Sequence, residues 1–260
     1  MKIPLYVVDA FTRRVFGGNP AAVCPLEEWP DEAVMQKIAM ENNLSETAFF
    51  AREGEAYRLR WFTPSVEIKL CGHATLASAY VIFNYLDSSK ESVSFETLSG
   101  TLVARRDGER IALDFPSRPA SPTDAPEDLL AALGVRPREV LRSAVDYMAI
   151  YETEEEVLSL RPDMARLARV EALGLIATAP GRESDCASRY FAPRAGIPED
   201  PVTGAAHCTL TPYWSARLGK REIHARQVSA RGGEVFCEAR GERVTLAGYA
   251  ARYSEGFLYL

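Results

Sequence analysis

Arg60-Trp61-Phe62-Thr63-Pro64, followed by Ile68 and Cys71-Gly72-His73-Ala74, has a counterpart in Arg189-Tyr190-Phe191-Ala192-Pro193, followed by Ile197 and Thr203-Gly204-Ala205-Ala206. Both copies read arginine, aromatic, phenylalanine, small residue, proline, three residues, isoleucine, then Gly-x-Ala. They lie 129 positions apart (189 minus 60), about half of the 260 residues. That spacing predicts two similar halves, and such a fold tends to place its site between them.

Each copy leads into a very apolar segment. His73 to Tyr85 is almost wholly apolar or small, and a helix apolar on all faces is normally buried on all faces. Ala205 to Leu218 is its counterpart. Asp31 to Asn43 reads as an amphipathic helix, with Val34 and Ile38, and Met35 and Ala39, at i, i+4. Strands are predicted over Ile3–Phe11, Thr47–Arg52, Ala56–Phe62, Val93–Thr97, Leu102–Arg106 and Ile111–Phe115, with Asp107-Gly108 as a hairpin turn. Ser117 to Pro126, rich in proline and serine, is linker-like. It sets an N-terminal domain of 1–116 and a C-terminal domain of 127–260, whose last strands have the option of returning to the first.

The second half predicts helices near Glu127–Leu133 and Asp163–Arg169. Strands are expected near Val140–Arg142, Tyr147–Tyr151, Leu173–Thr178 and Arg189–Ala192, with four more at the end punctuated by Gly232-Gly233, Gly241-Glu242 and Gly256. Strands and helices do not alternate regularly, so the fold class is α+β. No glycine-rich phosphate loop follows a strand, which argues against a dinucleotide or ATP fold.

A net charge of −6 offers no basic surface for nucleic acid. Five cysteines are scattered and odd in number, without C-x-x-C, which fits a reducing compartment better than disulfides or a zinc site. The N-terminal residues show no signal-like apolar stretch, and no run is long enough to span a membrane, so a cytoplasmic protein is expected.

Gly72 and Gly204 sit where the buried helices begin, and helix N-termini attract anions. A small carboxylate is therefore the expected ligand. His73 lies in the first turn of its helix, as a hydrogen-bond donor or proton-transfer partner. His207 reads as packing or capping, and His224 has no nameable partner. Asp200, in Glu199-Asp200-Pro201, either stabilises the following helix or is an ionised group turned toward His73. Glu46 begins an apolar strand, where a carboxylate holds its proton more tightly than in water, as a general acid/base near neutrality requires. Cys71 suggests a rival, an epimerase with two opposed thiols. In the second copy its counterpart is Thr203 in one register and Pro201 in another, and neither is a proton base.

These residues resemble the phenazine-biosynthesis PhzF-like isomerases, relatives of diaminopimelate epimerase. The matching stretches are Val8-Asp9-Ala10-Phe11, Gly18-Asn19-Pro20-Ala21-Ala22-Val23, Asn43-Leu44-Ser45-Glu46-Thr47, both Arg-aromatic-Phe-x-Pro copies, Cys71-Gly72-His73-Ala74-Thr75 and Glu199-Asp200-Pro201-Val202-Thr203-Gly204. The resemblance implies two similar domains, each a curved mixed sheet wrapped round a central buried helix, with the active site in the interdomain cleft and a homodimeric assembly. It implies a proton-shift isomerisation of a small carboxylate with no metal or organic cofactor. Glu46 would carry the proton, assisted by His73 and Asp200. Substrate contacts would come from Asn19, Ser45, Cys71, Gly72, Thr203, Gly204 and Ala205. One departure is Ala205, where the family pattern has serine. It keeps the backbone N–H, loses a hydroxyl and puts the phenazine substrate in question. The alternatives are the Cys71-dependent epimerase and a metabolite-binding or protein-interaction protein that has lost turnover.

Overall fold

The computed structural model describes residues 1–260. Its strands in chain order are β1 (Lys2–Ala10), β2 (Asn19–Leu26), β3 (Glu46–Glu53), β4 (Ala56–Phe62), β5 (Glu67–Ile68), β6 (Ser92–Thr97), β7 (Gly100–Asp107), β8 (Arg110–Pro116), β9 (Ser121–Pro122), β10 (Glu139–Arg142), β11 (Asp146–Ile150), β12 (Gly174–Pro180), β13 (Cys186–Ala192), β14 (Ile197–Asp200), β15 (Glu222–Gln227), β16 (Gly233–Arg240), β17 (Arg243–Gly248) and β18 (Ala250–Tyr259). The α-helices are α1 (Glu32–Asn42), α2 (Gly72–Val81), α3 (Glu127–Leu133), α4 (Glu154–Ser159), α5 (Met164–Leu167) and α6 (Gly204–Leu218). Contacts group the chain into two units. Met1–Asp114 with Ala247–Leu260 is the first, and Phe115–Leu246 is the second.

The two units repeat one topology. In the first, β1 runs antiparallel to β2, β2 parallel to β3, β3 antiparallel to β4, and β4 antiparallel to β5 and parallel to β6, which turns antiparallel into β7. In the second, β10 to β16 pair in the same sequence and the same senses. The fold is α+β, with mixed sheets and helices. β18 pairs with β1 along its length and so joins the first unit. Within the linker-like stretch, β9 pairs with Leu141 and Arg142 of β10. Gly256 does not mark a break, because it lies inside β18 opposite Leu5.

The repeated motif has the same structural role in both units. Arg60 forks onto Glu67 of the short antiparallel β5, with Nε to Oε1 and Nη2 to Oε2 both at 2.7 Å. Arg189 forks onto Glu199 of β14 at 2.7 and 2.8 Å. Each guanidinium also lies over the phenylalanine two residues on, 5.2 Å from the Phe62 ring centroid and 4.8 Å from that of Phe191. A planar donor fork matched to a carboxylate fixes the strand that leads to each helix.

In α2, every residue from His73 to Val81 except Tyr80 is buried. The helix packs among β1, β2, β3, β7 and β18. Its hydroxyls are satisfied inside the helix. Thr75 Oγ1 donates to the Cys71 carbonyl at 2.5 Å and Ser78 Oγ to the Ala74 carbonyl at 2.8 Å. The α-helix is shorter than the apolar run suggests. It passes into a π-helical turn at Ile82–Leu86, where Asn84, Tyr85 and Leu86 emerge into solvent. In α6, Pro212 has no N–H for the carbonyl four residues back, that of Cys208. The backbone N–H of Arg118 takes that place at 2.9 Å.

Candidate active site

Asn43 ends α1 in the left-handed conformation at φ 48°, which asparagine tolerates better than most residues. The chain then reverses through Leu44 and a half-buried Ser45 into β3, whose first residue is Glu46, in parallel register with Ala21 of β2. Asn19, fully buried, begins β2 opposite Ala10. Gly18 precedes it at φ +61°, and a β-carbon there would lie 2.0 Å from the Ala10 carbonyl oxygen, so only glycine fits.

From the other side β5 delivers the chain into α2, with Cys71 as its N-cap. Glu46, Cys71 and His73 converge in the first unit and are 7, 6 and 5 % exposed. His73 stands between the other two. Its Nε2 is 3.0 Å from Glu46 Oε2, and its Nδ1 is 3.5 Å from Cys71 Sγ. The Glu46 contact is an ion-pair approach whose angles fall outside hydrogen-bond geometry.

Burial disfavours charge on the imidazole, but Cys71 and Glu46 outweigh it and hold His73 well above the ordinary imidazole value. Burial and the Glu46 carboxylate push the Cys71 thiol up to about 11, against an opposing pull from His73. Cys71 is therefore a neutral thiol near pH 7.

In the second unit, Thr203 is the N-cap of α6 and Asp200 ends β14. The Thr203 hydroxyl donates to Asp200 Oδ2 rather than capping the helix. Both residues are clamped by Gln227 at the end of β15. Its Oε1 accepts the Thr203 N–H at 2.8 Å, and its Nε2 donates to the Asp200 carbonyl at 2.6 Å and to Thr203 Oγ1 at 3.2 Å. Sequence reasoning overlooked Gln227. The readable signal was alternation, because Ile223 and Ala225 face inward in β15 and a glutamine holds the next inward position.

Gly204 and Ala205 open α6 as Gly72 and His73 open α2. Neither N-cap side chain takes a hydrogen bond from its helix, so both first turns present N–H groups for an anion. The matched topology sets Thr203 opposite Cys71 and thereby resolves the register. No thiol stands at the equivalent point of the second unit. Cys208, one turn into α6, is pushed up to about 12 by burial.

The other histidines are structural. His207 is fully buried and its Nδ1 lies 2.8 Å from the Thr203 carbonyl, while burial lowers it to about 4. His224 does have partners, since it stacks on Phe236 with centroids 4.8 Å apart and its Nε2 is 3.6 Å from Glu234. Glu199 is engaged by Arg189, so of the two acids before α6 only Asp200 turns to the helix start. As for metals, ligand atoms of Glu46, Cys71 and His73 all lie within 4.8 Å of one another, but His73 meets the other two with different ring nitrogens, so the three do not converge on one ion.

The duplicated α+β fold, two units of one topology each with a buried helix, is the diaminopimelate epimerase-like fold. A solved hydroxyproline epimerase of Agrobacterium vitis, 11 % identical, shares that fold with a TM-score of 0.65, covering 99 % of this chain and 92 % of its own. More narrowly, the chain belongs to the PhzC-PhzF family of phenazine biosynthesis-like proteins, whose model matches residues 8–256. An uncharacterized isomerase of Pseudomonas aeruginosa is 50 % identical over 260 residues, the full length of both chains. The crystal structure of a PhzF-family phenazine biosynthesis protein of Enterococcus faecalis is 46 % identical, covers all of both chains and superposes with a TM-score of 0.97.

Proposed function

We propose that this protein is an isomerase that moves a proton between two carbons of a small carboxylate substrate by acid/base catalysis, with no metal or organic cofactor. The observation that carries the reading is the buried pair of Glu46 and His73 at 3.0 Å, beside the uncapped start of α2. In the resting state the protonated His73 lies beside Glu46. Glu46 then takes a proton from a carbon next to an activating group. The C–H electron pair moves into the conjugated system, and Glu46, whose acquired proton exchanges with solvent, protonates a second carbon. Substrate, Glu46 and His73 end with the protons they began with.

The N–H groups at Gly72, and at Gly204 and Ala205, supply contacts for the substrate carboxylate, together with Asn19, Ser45, Cys71 and Thr203. Asp200 serves as the assisting acid. Ala205 offers its backbone without a hydroxyl, which favours a substrate other than that of phenazine synthesis. A homodimer is proposed as the working form, on the strength of the family resemblance.

The test is a screen of small unsaturated and hydroxylated carboxylates incubated with the purified protein in deuterated water. Proton NMR should show deuterium entering one carbon position with a shifted double bond. Exchange abolished by alkylating Cys71 but intact in Glu46→Gln would favour the thiol epimerase instead. Binding of these carboxylates without exchange in any of them would favour a non-catalytic binding protein.

A further inference from the structure

We propose that the open edge of β18 is an interface with a second copy of this chain, the two β18 strands pairing antiparallel about a two-fold axis at Gly256. The inference rests on the homodimer proposed above and names the surface that forms it. β18 pairs with β1 along its length, and every residue from Arg252 to Phe257 is exposed. An open strand edge presents a row of unpaired N–H and C=O groups, which is a template for another strand.

Gly256 points to what covers that edge. A glycine weakens a strand interior, and it marks a bulge, a bend or a close approach by another backbone. The bulge in β18 lies elsewhere, between Arg252 and Ser254, and Gly256 stands in regular register with Leu5. Its backbone is not left-handed, and a β-carbon there would meet nothing within 4 Å. Neither conformation nor packing inside the chain calls for glycine here, whereas the approach of a second backbone does.

The side chains select the register. A two-fold axis at Gly256 sets Ser254 opposite Leu258 and Glu255 opposite Phe257 of the second copy. With the axis one residue earlier, Glu255 would face its own copy, and like charges directly opposite are destabilising. At Gly256 it meets opposite charge instead, because Lys2 Nζ lies 3.8 Å from the centroid of the Phe257 ring. Each copy thus offers its Glu255 to the other's Lys2, the reciprocity that an isologous contact requires. The surroundings are apolar. Phe257 is 50 % exposed and Tyr259 78 %, and exposed Met1 and Leu86 line a groove with Phe257. Contiguous exposed apolar surface of this kind marks contacts between proteins.

The test is Gly256→Cys treated with diamide, a mild thiol oxidant. Residues directly opposite in an antiparallel pair have Cα atoms about 4.5–5.5 Å apart, within reach of a disulfide. The two introduced thiols should close one S–S bond between copies, diamide taking up the two electrons and two protons, and a crosslinked dimer should appear on a denaturing gel. All five native cysteines are buried. Glu96→Cys, on an exposed position of β6, should give no crosslink. Sedimentation equilibrium should show a wild-type dimer, and Phe257→Asp should raise its dissociation constant at least about tenfold, with circular dichroism confirming the fold. A monomeric wild type overturns the surface and the homodimer together. A wild-type dimer that Gly256→Cys does not crosslink, or that Phe257→Asp leaves unchanged, overturns the surface alone. None of these readouts depends on turnover, so failure of the proposed isomerisation is read separately.

Discussion

His73 Nε2 lies 3.0 Å from Glu46 Oε2 inside the first unit, although the two residues come from different directions, one from the start of β3 and the other from the first turn of α2. The imidazole's other nitrogen faces Cys71, so one ring links a carboxylate and a thiol in a site nearly closed to water.

The first consequence concerns titration. His73 is held above the ordinary imidazole value, so its stabilising contribution is complete below about pH 6.5 and is lost as pH rises through the higher folded-state value. Glu46→Gln changes one of the two side chains that raise His73, Cys71 being the other. In NMR titrations the His73 resonance of the wild type should remain that of an imidazolium well past pH 6.5, and in Glu46→Gln it should titrate at lower pH. Only three histidines need assigning, and His207 stays neutral down to about pH 4.

A second consequence concerns Gln227. Replacement by alanine leaves the Thr203 N–H and the Asp200 carbonyl without their partner, at about 1–3 kcal/mol for each buried group left unsatisfied. Gln227→Glu would keep the acceptor but lose the donor to the Asp200 carbonyl. Chemical denaturation should rank wild type above both Gln227→Glu and Gln227→Ala. In any turnover assay the loss should fall more on kcat than on folding yield if the clamp orients Asp200.

The repeat makes an asymmetric prediction. Arg189 and Arg60 both fork onto a carboxylate, but Arg189 Nη1 also donates to the carbonyls of Val157 and Leu160, at 3.1 and 2.9 Å. Arg60 instead reaches Glu32, whose side chain is largely exposed. The two forks are about equally buried, so their loss costs alike, whereas each buried carbonyl left without its donor costs about 1–3 kcal/mol and a surface pair contributes roughly 0–1. Arg189→Ala should therefore lower stability more than Arg60→Ala, as read by urea midpoints.

Asp146 supplies a pH dependence away from the site. Burial raises its carboxyl to about 6, against the pull of the Tyr190 hydroxyl at 2.9 Å, Arg118 and the Gly174 N–H. Because the folded value exceeds the unfolded one, its contribution is complete below about pH 4 and is lost as pH rises through 6, a change of about 3 kcal/mol. Asp146→Asn should flatten the stability profile between pH 4 and 6. Gly174 is part of this arrangement, since a β-carbon there would lie 2.4 Å from the Tyr190 hydroxyl. Gly174→Ala should disturb the same profile.

Much of this was legible in the residues, for identifiable reasons. An all-apolar run such as Ala74 to Val81 has one stable outcome, a helix inside a shell of strands. Asp107-Gly108 has one common outcome, a tight hairpin, and Asp107 does pair with Arg110. Glu46 stood out as the one charge at the edge of an apolar strand. By contrast, β2 was not visible. Asn19-Pro20-Ala21-Ala22 has poor strand propensity, and its conformation comes from pairing with β1 and β3 on either side. Asp146 and Gln227 look like ordinary surface residues in sequence. Their burial depends on partners 44 and 24–27 positions away, Tyr190 for one and Thr203 and Asp200 for the other.

The most direct test of the central claim compares wild type and Glu46→Gln on a turned-over carboxylate in deuterated water, with binding followed separately by calorimetry. Removing the proton carrier should cut deuterium incorporation by about 10²–10⁴-fold or more while the carboxylate still binds. Wild-type rates of incorporation in Glu46→Gln would contradict the assignment of Glu46 as the group that moves the proton.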